Sequence, residues 1–217
     1  MKPSARIVLV HGLWNRGWSM TVMARRLRSK GHKVEVFSYP TRSNCLDGHA
    51  DALHEYLGKV EAETLHLVGH SMGGLVILNM LSRYDDLPPG RVVLMGTPVK
   101  GSRVVKRLEK LPGQKLLFGK ARENLLQGFE HTPRGHETGM IRGTRALGLG
   151  QITGPQGEPN DGTVAVSETE LEGLKDTVEM DVSHTEMLVS AEVVEQAEHF
   201  LLHGEFCAKQ QATPTTR

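Results

Sequence analysis

A surplus of charge, a cysteine framework and a long apolar run are all missing from this sequence. Lys and Arg number 26 against 25 Asp and Glu. Global electrostatics therefore give no pull toward nucleic acid or an anionic membrane, and neither is expected as a partner. Only two cysteines occur, Cys45 and Cys207, far apart and in polar surroundings. That excludes a disulfide framework and makes a reducing cytoplasm the expected location. No apolar stretch is long enough to span a bilayer, and Met1 to Arg6 leads into a short strand-like run with no signal-peptide apolar region before it. Stable membrane insertion is thus not expected. No internal repeat is visible. What is there, at 217 residues, suits one domain over 1–217, able to bury about 70% of its unfolded surface.

Short β-branched and aliphatic runs alternate with amphipathic stretches. Ile7–Val10, Val34–Phe37, Thr64–Val68, Arg91–Met95, Thr138–Ile141 and Thr177–Val182 read as strands. Between them, Met20, Met23, Ala24 and Leu27 share one helical face, with Ser19 as the expected N-cap and Gly31 as the stop. Residues 47 to about 60 form a second such stripe, and Ser190 to His203 a C-terminal one. Strands alternating with helices predict an α/β fold with a largely parallel sheet covered on both faces. Residues from about 100 to 136 depart from the pattern. They carry Leu116, Leu117, Phe118, Leu125 and many basic residues in pieces broken by Pro112-Gly113 and Gly119. A short helical cap over the core is expected there, with a polar tail from about 207 to 217.

The most informative stretch is Gly69-His70-Ser71-Met72-Gly73-Gly74, set between an apolar strand and an apolar helix. A serine on so sharp a strand-to-helix turn needs neighbours at minus two and plus two with almost no side chain, which Gly69 and Gly73 supply. The helix start adds an N–H and a positive dipole end beside the hydroxyl. A serine is a poor nucleophile without a base and a group to orient that base. In this kind of turn the partners follow in the order Ser, acid, His. Asn160-Asp161-Gly162 follows the expected sixth strand, and Ser183-His184 follows the last. Ser71, Asp161 and His184 are therefore the candidate catalytic residues, with Asp85, Asp86 and Glu158 as rivals for the acid. Asp181 is expected within a strand, pointing elsewhere. Two N–H donors must hold a developing oxyanion. Met72, after the nucleophile, and Leu13, in the turn after the first strand, are the candidates. His11 reads as a structural histidine bonding across that turn. Trp14 and Trp18 either line an acyl site or pack the loop, and Phe118 borders the same site. Asp47, His49, Asp51, His54 and Glu55 are metal-ligand types, but helical spacing spreads them around the cylinder.

Taken together, His11-Gly12-Leu13-Trp14, Gly69–Gly74, Gly96-Thr97-Pro98 ahead of Gly101-Ser102, Asn160–Val164 and Ser183-His184 resemble the α/β-hydrolase superfamily. Within it the chain is similar to small bacterial esterases and lipases related to GPI inositol-deacylase-like proteins. The resemblance spans about Ile7 to Glu205 and implies hydrolysis through an acyl-enzyme, with no metal and no organic cofactor. It departs from secreted lipases in lacking an export signal, and from larger ones in the shortness of its cap. The expected activity is that of a serine carboxylesterase on short- to medium-chain acyl esters. A lipase or phospholipase acting on longer chains, or a silent binding protein of the same fold, are the alternatives. Oligomeric state is not legible.

Overall fold

The computed structural model describes residues 5–108, 118–148 and 157–207. Six strands form one sheet: β1 (Ala5–Val10), β2 (Lys33–Phe37), β3 (Thr64–His70), β4 (Arg91–Met95), β5 (Glu137–Gly143) and β6 (Asp176–Met180), in the order β2-β1-β3-β4-β5-β6. Every pair is parallel. The aliphatic runs explain this. A strand covered on both faces must be apolar at every position, and successive side chains go to opposite sides. Accordingly Val8, Val10, Leu67, Val92 and Leu94 join one core layer, while Ile7, Leu9, Val68, Val93 and Met95 join the other. Helices α1 (Thr21–Ser29) and α6 (Ala191–His203) close the second layer, and α2 (Leu46–Leu57) and α3 (Met72–Arg83) close the first. Two short helices, α4 (Arg103–Leu108) and α5 (Ala121–Leu126), lie in the segment expected to form the cap.

From β1 the chain steps to β2 on one side, then returns to place β3 on the other. Such a reversal opens a crevice beyond the carboxyl ends of the two central strands, where sites in open parallel sheets form. His11–Trp14 follow β1 and Ser71 follows β3, so both candidate loops meet there. The backbone ladder also continues past the strand ends. Ser71 N donates to Met95 O (2.9 Å), Gly96 N to Ile141 O (3.0 Å) and Thr144 N to Met180 O (3.0 Å).

Four local expectations need correction. Ser19 caps no α-helix: it lies buried in a 3-10 turn over Gly17–Met20, and α1 begins only at Thr21. The tight turn uses the backbone that a cap would have served. β3 also runs on through Gly69 and His70, so Ser71 alone makes the turn. Asp161 follows the fifth strand, not the sixth, since among the described residues no strand lies between Gly143 and Asn160. Asp181 lies just past β6, exposed, where Arg145 pairs with it at 2.9 Å. Leu116, Leu117 and the Pro112-Gly113 break lie outside the described residues, as does the tail from residue 208.

Candidate active site

The turn at Ser71 is strained, and the surrounding glycines show why it is tolerated. Ser71 has φ 55° and ψ −125° and is followed at once by the first residue of α3. Only Trp14 among the other described non-glycine residues shares a positive φ, at 58°. A side chain at Gly69 would come within 2.6 Å of Gly74 Cα, and one at Gly73 within 2.7 Å of His11 O. Helix α3 can therefore press against β3 and the end of β1 only because these positions are bare. One added to Gly12 would meet Ser71 Cβ at 2.9 Å, so the turn after β1 lies directly against the serine.

Asp161 and His184 arrive from the loops after β5 and β6. His184 Nδ1 bonds Asp161 Oδ2 at 2.7 Å, and the carboxylate is almost wholly buried. Its other oxygen accepts from Thr163 N (2.9 Å) and Val164 N (2.7 Å). A second bond joins the two backbones, His184 N donating to Asp161 O at 2.8 Å. The carboxylate is thus held in a short turn of its own making and aimed at one imidazole nitrogen. With the proton on Nδ1, Nε2 is left as a proton acceptor. Gly96, whose φ is +53°, covers this bond: a side chain there would stand 2.8 Å from Asp161 Oδ2 and 3.0 Å from His184 Nδ1. The rival acids are engaged elsewhere. Asp86 pairs with His54 at 2.8 Å, Glu158 pairs with Arg103, and Asp85 is exposed.

Ser71 and His184 open onto a cavity of about 440 Å³. Its walls are Leu13, Trp14, Pro98, Val104, Val105, Phe118, Leu125, Leu147 and Val164, so they are largely apolar. Trp14 stacks on Phe118 with ring centroids 5.4 Å apart. Trp18 is 73% exposed and is not among the wall residues. Leu13 lies in the wall, and Met72 opens α3, where first-turn N–H groups lack helical acceptors. A roomier cleft of about 880 Å³, between Trp14 and Ser43, brings no base and acid together. Size therefore does not pick out the site; the convergence of hydroxyl, imidazole and carboxylate does.

Three other histidines are explained without chemistry at the cavity. His11 Nε2 accepts from Tyr39 N (3.3 Å) and its Nδ1 donates to Gly12 O (3.0 Å). Burial pushes its pKa down. His49 packs against Tyr39, again with burial lowering its pKa. His54, with Asp47, Asp51 and Glu55, belongs to surface pairs with Asp86, Arg83 and Lys59. Among the described residues no three such groups converge as metal ligands. Two contributors escaped the sequence reading. Gly96 was visible only as part of a Gly-Thr-Pro turn, and His70 only as the residue before the serine.

Residues 7–165 match the family model described as the alpha/beta hydrolase family. A carbendazim hydrolyzing esterase of a Nocardioides species is 40% identical over 91 residues, 36% of this chain and 36% of that protein. An uncharacterized abhydrolase domain-containing protein of Dictyostelium discoideum is 29% identical over 140 residues, 59% of this chain and 14% of that one. The chain therefore spans only about a third and a seventh of the lengths of these curated relatives. Among solved structures, a Bacillus licheniformis lipase in mature form has a TM-score of 0.65 at 18% identity, covering 87% of this chain and 88% of that one. A metagenomic carboxyl esterase also reaches 0.65, at 19% identity, covering 85% and 65%. At such identities the likeness is one of fold.

Proposed function

Because this chain belongs to the alpha/beta hydrolase family, we propose that it is a serine carboxylesterase hydrolysing short- to medium-chain acyl esters. One observation carries the reading: the strained Ser71 and His184, itself bonded to the buried Asp161, line one apolar-walled cavity. Ser71 Oγ attacks the ester carbonyl while His184 Nε2 takes its proton. The N–H groups of Leu13 and Met72 hold the oxyanion, which collapses as His184 returns the proton to the leaving alcohol. Water, activated by the same imidazole, then attacks the acyl-enzyme and releases acid and free serine. Asp161 keeps the imidazole in the working tautomer and stabilises its charged form. Trp14 and Phe118 border the acyl group. A cavity of about 440 Å³ lies near the small end of the range for ligand sites, roughly 300–1,000 Å³, which suits modest acyl chains.

Residues 100–136 act as a cap in this reading, and the sequence motifs favour the small bacterial esterase and lipase branch related to GPI inositol-deacylase-like proteins. Two separate free cysteines fit the cytoplasm. A lipase reading has one observation of its own. Trp14 and Leu147, both in the cavity wall, are 41% and 51% exposed, an apolar rim suited to a longer chain or an aggregated substrate. Fluorophosphonate labelling of the purified protein, with the modified residue mapped by mass spectrometry, tests the serine. An acetyl-to-decanoyl ester series separates esterase from lipase. A label on Ser71 and highest kcat/KM at short to medium chains is the expected result. Absence of both labelling and ester hydrolysis would leave only a binding protein of this fold.

A further inference from the structure

His70 is wholly buried beside the cavity, one residue before Ser71, and takes no part in the chemistry just described. Its Nε2 lies 2.9 Å from His184 O, across 114 residues of sequence. A carbonyl only accepts, so Nε2 carries the proton and donates. Nδ1 has no protein partner, which is consistent with a neutral ring holding its one N–H at the other nitrogen. The two imidazoles lie 4.5 Å apart, centroid to centroid. His184 is therefore clamped on both sides of its Cα: its N–H by Asp161 O and its C=O by His70.

We infer that His70 is a positioning residue, a latch tying the backbone of His184 to the end of β3 so that one strand sets both nucleophile and base. The latch requires Ser71 and His184 to work as proposed above, and rests on that reading. It also has to stay uncharged. A cation this close would oppose the imidazolium that His184 must form, and burial, with His184 as the next cause, holds the pKa of His70 well below its ordinary value.

Side-chain reach separates a latch from a space-filler. The amide nitrogen of Gln can stand where Nε2 stands, whereas that of Asn stops at the level of Nδ1. His70→Gln should keep kcat within about threefold of the parent, while His70→Asn and His70→Phe should lose about 10- to 100-fold in kcat with KM nearly unchanged, the cost of a base displaced by a fraction of an ångström to an ångström. The low-field proton resonance of the His184–Asp161 bond should persist in the Gln variant and broaden in the other two. Equal activity in all three variants, or equal loss in all three, overturns the latch. Ser71→Ala is measured alongside. If it stays active the esterase reading fails, whereas an inactive Ser71→Ala beside a fully active His70→Phe removes the latch alone.

Discussion

The floor of the cavity is built from backbone hydrogen bonds between strands and bare glycine contacts, whereas its roof meets the cavity chiefly with apolar side chains. On the floor, Ser71 N bonds Met95 O and Gly96 N bonds Ile141 O. Gly69, Gly73 and Gly96 let neighbouring chains approach to where a methyl group would collide. Above, Val104, Val105, Phe118, Leu125, Trp14 and Leu147 present an apolar wall in which Trp14 stacks on Phe118, while Ser102 N bonds Leu125 O at 2.8 Å behind it. Directional bonds fix positions to fractions of an ångström; apolar contacts fix volumes. The floor should therefore govern turnover and the roof should govern which substrate is turned over.

The largest test of that division is Ser71→Ala. Alanine inherits the same strained φ and loses only a hydroxyl, so the fold should persist. Initial rates on a butyrate ester should fall about a million-fold, as in comparable serine triads. A variant with parental rates, free of contaminating esterase, breaks the assignment of the floor.

Asp161→Asn comes next. The amide keeps the shape but turns an N–H toward His184 Nδ1, favouring the tautomer with its proton on Nε2. Turnover should drop by up to about ten-thousand-fold with KM little changed. Glu158→Gln and Asp86→Asn, which alter surface ion pairs, should stay within a few-fold by comparison. Reversed results would move the acid out of the floor.

Acid probes the sheet that carries this floor through its stability. His66, on β3, uses Nδ1 to accept from Arg91 N (3.0 Å), and burial foremost pushes its pKa down to about 4. The unfolded chain takes this proton below about 6.5 while the folded one resists it until about 4. The contribution is thus full above the unfolded value and fades as pH falls between the two. From that shift alone about 2 kcal/mol should be lost between pH 7 and pH 4.5, and the lowered pKa values of His11 and His70 act in the same direction. Urea midpoints at pH 7 and pH 4.5 measure it. His66→Asn, which retains an acceptor without a titrating group, should flatten part of the dependence. A parent midpoint that does not move would show that the stability of the sheet is indifferent to these rings.

The smallest expected effect lies in the roof. Phe118→Leu trims a ring stacked on Trp14. Each methylene that loses its apolar contact is worth about 0.8 kcal/mol, so kcat/KM for an octanoyl ester should fall about tenfold relative to acetyl. Equal losses on both esters would sink the distinction between floor and roof.

Most of the floor could be read from residue order, because its signals are local. Aliphatic runs with both faces apolar mark buried strands, and the spacing of Gly69, Ser71 and Gly73 marks the turn. Asp161 and His184 each stand directly after such a run or its loop. The misses share a physical origin in tertiary contact. Nothing near Ser19 announces a 3-10 turn rather than a capped helix. The partner of His70 is a carbonyl 114 residues away. Trp14 and Trp18 look alike in sequence, yet one stacks over the cavity and the other is 73% exposed. The roof is assembled from segments whose apolar residues follow no period, so its shape could not be inferred before the chain was folded.

The hydrogen-bond ladder that outlasts the strands has a consequence for how the protein opens. Ser71 N, Gly96 N and Thr144 N are donors in successive rungs crossing from β3 to β4, β5 and β6. None can be freed by a loop swinging aside, since each is bonded to the neighbouring strand. In deuterated solvent these amide protons should exchange at the rate of global unfolding, together with mid-sheet amides such as Val68 and Val93. Those of Trp14 and Gly148, on the cavity rim, should exchange through smaller local excursions. Substrates could then enter and leave many times within the interval in which the amide of Ser71 meets water once.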